Sequence, residues 1–213
     1  RAIFVVAPVE AQMGIVQKVF YFHVPSAYGM YIGFCVCMLG SAIYLARGAR
    51  QDLWNHRAEA LAVAGAEIGT LFCLMVLISG PLWARKAWGV YWTWDPRLTS
   101  TMLAGMVYVA YLVLRSGGGE GERKFAAALG LLGGPLCLVI HYSVQRWRGQ
   151  HPTVITSKGG GLEPEMLTAL LLGFASFTAL AALFIWARAS LELDRQGLEE
   201  ARLDAAEAGL LEE

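Results

Sequence analysis

Five stretches of this chain, 25–46, 60–82, 98–114, 125–143 and 164–187, are almost free of charge, and each is about as long as a bilayer is thick. A hydrocarbon core of about 30 Å takes about 20 residues of α-helix. Helices in a soluble bundle would show a polar face at helical period, and these runs show almost none. With 56% hydrophobic and 16% charged residues among 213, the chain suits lipid better than water. The expected fold is an all-α integral membrane protein, a bundle of five transmembrane helices. The apolar residues Ala2 to Val6, with no methionine before them, read as the end of an earlier span, so a sixth is expected before Arg1. Pro25 and Pro164 are expected in the first turns of their helices, where the missing N–H would be unpaired anyway.

The charges total 17 basic and 17 acidic, but eight acids and three arginines fall in residues 188–213. One domain is expected, a membrane body over 1–187, followed by an acidic tail over 188–213 that forms either a short solvated helix or a frayed charged end. The balance excludes a basic nucleic-acid binder. Cys35, Cys37, Cys73 and Cys137 all lie inside apolar runs and outside any CxxC, which excludes a disulfide scaffold. Five consecutive spans put the loops 83–97 and 144–163 on one face, together with the segment before Pro25. The loops 47–59 and 115–124 and the tail share the other. Seven basic residues on each face leave the positive-inside rule undecided.

The loop 83–97 holds Trp83, Trp88, Tyr91, Trp92 and Trp94 and ends on Asp95-Pro96-Arg97. One or two tryptophans would be interfacial anchors; four with a tyrosine suit a flat aromatic shelf for a flat, largely apolar ligand. On the same face lie His23, just before the first span, and His151 in the last loop. Neutral imidazoles from two segments can approach the two sides of one haem, so both are candidate iron ligands. His56 falls on the opposite face as a solvated residue, and His141 near the end of a span suits a buried, hydrogen-bonded role as well as ligation. Haem propionates need cationic partners, for which Arg85, Lys86, Arg97, Arg146 and Arg148 are placed on that face. Asp95 precedes Pro96 as a helix cap. Glu67 is an intramembrane carboxylate outside this group.

The run Trp88-Gly89-Val90-Tyr91-Trp92-Thr93-Trp94-Asp95-Pro96-Arg97-Leu98-Thr99-Ser100 resembles the tryptophan-rich WWD signature of haem-handling membrane proteins, and the CcmC family of cytochrome c maturation in particular. His23-Val24-Pro25-Ser26-Ala27 and Val144-Gln145-Arg146-Trp147-Arg148-Gly149-Gln150-His151 resemble that family's two haem-ligand segments. Tyr91 stands where the family usually has another Trp, Arg146 replaces the first of a Trp pair, and Pro152 replaces a Gln.

The resemblance implies a six-span protein of a bacterial-type inner membrane, with its haem site on the extracytoplasmic face and its tail in the cytoplasm. It implies non-covalent, b-type haem held by His23 and His151 as metal ligands, with Trp83, Trp88, Tyr91, Trp92, Trp94, Asp95 and Arg97 completing the site. The haem would pass to a haem chaperone, in association with the membrane and ATPase subunits of an ABC transporter and a small single-span subunit. Such a protein delivers haem and has no catalytic centre of its own. The alternatives are a b-type cytochrome subunit that transfers electrons, whose paired histidines usually lie within the spans, and a cytochrome c haem lyase of the same superfamily.

Overall fold

The computed structural model describes residues 1–48, 52–117, 119–147, 149, 151 and 161–210, the side chains of Val144 and Gln145 excepted. Among the described residues six α-helices carry the fold: α1 (Phe20–Arg47), α2 (Leu53–Trp88), α3 (Pro96–Ser116), α4 (Glu120–Gly130), α5 (Gly133–Trp147) and α6 (Pro164–Glu207). No sheet forms among the described residues, where one isolated bridge joins Glu10 and Gly14. Among the described residues five helical segments are long and apolar enough to cross a membrane, with α4 and α5 together making the fourth. The chain is an all-α integral membrane protein.

Several boundaries differ from those the apolar runs suggest. α1 begins at Phe20 after a 3₁₀ turn (Ile15–Val19), so Pro25 lies inside the helix and not in its first turn. Its ring packs against Gly173 of α6, where an added Cβ would stand 3.0 Å from Pro25 Cγ and 3.2 Å from the carbonyl oxygen of Tyr21. That oxygen is the one a proline at position 25 leaves without its helical partner. The fourth span breaks at Leu131 and Leu132. Gly133 there packs so closely on Tyr108 and the Phe34 carbonyl that a side chain would collide. α6 is uninterrupted across residue 188. Its 44 residues make a rod of about 66 Å, longer than a bilayer with its headgroups.

Lipid is as apolar as leucine, so helices in a membrane associate through close backbone approach. Gly33 of α1 lies directly on Gly69 of α2, with no room for a Cβ. An added Cβ on Gly65 would stand 2.5 Å from the Cys37 nitrogen, and one on Gly40 2.5 Å from the Ala58 oxygen. These contacts lock α1 and α2 antiparallel in a fixed register. Around them Phe34 and Tyr108 stack at 3.8 Å and 4°, beside buried Met30, Phe72, Tyr111 and Ile140.

At the end away from the tryptophan-rich loop, charge joins four helices. Arg115 of α3, 7% exposed, pairs with Glu59 of α2 at 2.7 Å and Glu192 of α6 at 3.6 Å, while Arg123 of α4 reaches Glu59 at 3.9 Å. Glu67, unassigned by sequence, forms a two-point ion pair with Arg188 at 2.5 and 2.8 Å. His56 pairs with Glu200 of the tail at 3.3 Å. From Arg188 to Glu207 the tail is helical; it continues the last span and is tied to α2.

Candidate functional site

A cavity of about 500 Å³ opens between α1, α2, α3, α5 and α6 at the tryptophan end. That size lies within the usual range for small-molecule and cofactor sites. Its inner walls are apolar, from Met30, Val76, Leu77, Ile140, Leu170 and Phe174, and its polar groups converge from separate segments.

The register of α1 and α2 places His23, in the first turn of α1, against the last third of α2. Its Nδ1 lies 2.9 Å from Ser79 Oγ. Its ring fits over Gly80, where a Cβ would come within 3.1 Å of His23 Cε1. His151 arrives from the loop after α5. The two ring centroids lie 6.3 Å apart with planes inclined 36°. Two imidazoles bonded to one metal at about 2 Å, each ring centre about an ångström behind its nitrogen, stand roughly 6 Å apart. The spacing suits a shared ion. Among the described residues no three His, Cys, Asp or Glu side chains converge as a conventional metal site would need. A pair of imidazoles fits a metal that brings its remaining ligands with it, as haem iron does.

Burial, with a smaller contribution from the nearby Arg97 guanidinium, pushes the His151 imidazole down to about 4. A histidine with a lowered value is neutral above it, so its lone pair is available at physiological pH. Protons then compete for His151 only under acid conditions. A metal bond to His151 would be insensitive to pH from about 8 to about 5 and would weaken as pH approaches the lowered value. An absorption titration of the haem-loaded protein checks this; weakening already at pH 6.5 would show His151 to be unshielded.

The aromatic residues divide. Trp83 and Trp88, expected in the loop, lie on the last turns of α2, which ends at Trp88; Gly89 closes it with φ +78°. Trp83, Trp88 and Trp92 line the cavity. Tyr91 and Trp94, 58% and 74% exposed, do not. The rings form no flat shelf either. Trp83 meets Trp88 at 89°, Trp92 meets Trp94 at 86°, and Trp88 meets His151 at 70°, all edge to face. Such angles bring the positive edge of one ring to the negative face of the next. The result is a cage with indole walls.

Asp95 is buried and stands outside the cavity lining. Its carboxylate accepts from the Arg97 amide at 2.9 Å, capping α3 as its position before Pro96 suggests. Gly149, two residues before His151, packs on this carboxylate: an added Cβ would lie 2.6 Å from Asp95 Oδ2. The cap of α3 thus also seats the loop carrying His151. Among the described residues Arg97 is the one Lys or Arg that lines the cavity, and it donates to the His141 carbonyl at 3.1 Å. Its Nε, like Trp83 Nε1, is buried without a hydrogen-bond partner. Arg85 instead braces the loop, donating to the Gly89 carbonyl and lying 5.6 Å over the Tyr91 ring. Arg148 lies outside the described residues.

His141 lines the same cavity from α5, a place its sequence position left open. Ser79 and Gly80 were missed in the sequence because they lie inside an apolar run. The break in that run at Ser79-Gly80-Pro81 was the signal available.

Fold and site define a class: a polytopic membrane protein with an aromatic, imidazole-bearing cavity at one end of its spans. Comparison with known proteins gives the family. The model of CcmC, heme exporter protein C, matches residues 2–204. Heme exporter protein C of Bradyrhizobium diazoefficiens is 32% identical over 82% of this chain and 65% of its own length. That of Rhodobacter capsulatus is 31% identical over 92% and 81% respectively. The ccmC-like mitochondrial protein of cytochrome c biosynthesis from Marchantia polymorpha is 30% identical over 84% and 75%. The chain belongs to the CcmC family.

Proposed function

We propose that this protein holds haem at the tryptophan end of the bundle and hands it on in cytochrome c biogenesis. His23 and His151 are the axial ligands, Trp83, Trp88 and Trp92 enclose the macrocycle, and Arg97 receives a propionate. The observation that carries this reading is the pair of imidazoles from separate segments, 6.3 Å apart at the wall of an apolar cavity. The unpartnered buried donors of Arg97 and Trp83 fit the acidic edge of the same ligand. Bound haem supplies the iron and its four equatorial nitrogens; the chain supplies axial ligation, exclusion of water and charge compensation. The binding is non-covalent and b-type, and the chain delivers its cargo without a catalytic centre.

The site faces the extracytoplasmic side of a bacterial-type inner membrane, with the tail of α6 in the cytoplasm. The haem goes to a haem chaperone, and the chain works beside the membrane and ATPase subunits of an ABC transporter and a small single-span subunit. Family membership supports these assignments. With native cysteines replaced, Val90→Cys is expected to react with an impermeant thiol reagent in intact cells, and Leu210→Cys to stay unreactive. The reverse pattern would invert the orientation.

The deciding experiment is a reduced-minus-oxidised absorption spectrum of the detergent-purified chain. Sharp low-spin bands in one-to-one yield with protein are expected, and a chain devoid of haem after purification and reconstitution would end the proposal. The cage makes a finer prediction. Trp88→Ala is expected to weaken haem retention by about 1 kcal/mol or more through lost ring contact and burial, with Trp88→Phe retaining most of it. Trp94→Ala, on a ring outside the cavity, is expected to cost less, as measured by haem content at equal protein yield. Equal losses at positions 88 and 94 would show that lining the cavity is not what matters.

A further inference from the structure

The two imidazoles of the cavity are held in different ways. Ser79 Oγ lies 2.6 Å from the Met75 carbonyl, one turn back on α2, and 2.9 Å from His23 Nδ1. A hydroxyl has one proton, and a carbonyl can only accept, so that proton is committed to Met75. Toward His23 the hydroxyl is then an acceptor, and Nδ1 carries the ring proton. Nε2 is left with the lone pair. Gly80 adds a steric element, since its missing side chain is what lets the His23 ring lie against α2. His151 has no such support: its Nδ1 is buried without a partner, it sits on a loop, and its ring neighbours are Trp88 and His23. A histidine whose second nitrogen donates a hydrogen bond is a better-oriented and more basic metal ligand.

We propose that Ser79 is a positioning residue that fixes the tautomer and ring orientation of His23, so that His23 is the ligand that stays on the iron and His151 the one released first. This rests on haem ligation by the two histidines. In the hand-over, the bond from His151 Nε2 or Nδ1 to iron breaks and its lone pair returns to the ring, while an incoming donor forms the replacing bond. No change of oxidation state is required.

Resonance Raman spectroscopy of the full chain in detergent provides the test, because the iron–histidine stretch of five-coordinate ferrous haem reports the hydrogen bond on the ligand's other nitrogen. In the His151→Ala variant, Ser79→Ala is expected to shift this band to lower frequency and Ser79→Thr to restore it. In the His23→Ala variant, Ser79→Ala is expected to leave it in place. Photolysis of the carbon monoxide adduct of the unsubstituted ferrous chain should yield the band of His151→Ala, the His23-ligated form. A band indifferent to Ser79→Ala in both backgrounds would overturn the positioning role while leaving haem ligation standing. A photolysis band matching His23→Ala would reverse the order of release. Failure of the unsubstituted chain to bind haem would remove the reading beneath both.

Discussion

Substituting His23 or His151 by alanine is expected to abolish the six-coordinate, low-spin haem spectrum, leaving five-coordinate iron or no haem. Each removes one of two rings only 6.3 Å apart; His141, which also lines the cavity, lies on another helix. His56→Ala is the internal control. Its imidazole pairs with Glu200 at the opposite end of the bundle and should matter for tail docking alone. The measurement is the absorption spectrum of purified protein at matched concentration. A six-coordinate spectrum persisting in His151→Ala would mean that another residue supplies the second axial bond. Loss of haem from His56→Ala equal to that from His23→Ala would falsify the separation of the two ends.

The second large effect is expected at the far end, where Arg115 and Glu59 are 7% and 8% exposed. Arg115→Met leaves the buried Glu59 carboxylate with Arg123 at 3.9 Å in place of its 2.7 Å partner, while Glu192 keeps Arg188 and Arg195. Breaking a buried pair from one side costs about 3 to 5 kcal/mol, because the remaining charge is uncompensated. Accumulation in the membrane and thermal stability in detergent should both fall sharply. Adding Glu59→Gln removes much of that charge, and the double variant is expected to be more stable than Arg115→Met alone. A double variant worse than either single one would show that the charges act independently.

Much of the fold was legible because apolar length is a strong signal: all five runs lie within spans. The ends were not, because nothing apolar marks where a helix continues into water. Trp83 and Trp88 extend α2 with Arg85 and Lys86 among them, and α6 continues past Arg188 through alternating acids and bases that satisfy one another. The break at Leu131 was hidden because two leucines look like any span, although the flanking glycines and Pro135 were a warning.

His23, His151, Trp83, Trp88, Trp92 and Arg97, which line the cavity, each stand out in the sequence by rare chemistry, as do Trp94 and Asp95, which lie outside it. Their orientation does not. A cluster of indoles in sequence says nothing of interplanar angle, so a shelf was as reasonable as the edge-to-face cage that the structure holds. Nor does a serine in an apolar run stand out until an antiparallel neighbour brings an imidazole to it.

That neighbour relation has a remote origin. Gly33 on α1 and Gly69 on α2 touch, and His23 and Ser79 each lie ten residues further along, toward the same end of the pair. The two helices therefore work like the scales of a vernier, with the zero set at the glycines and the reading taken about 15 Å away. A slip of one residue at the zero would advance one scale by about 1.5 Å and turn it by about 100°, carrying Ser79 off the imidazole. In a saturation mutagenesis screen for haem loading, the narrowest tolerance should then extend beyond the cavity to positions 33, 65 and 69, where no side chain ever meets the cargo.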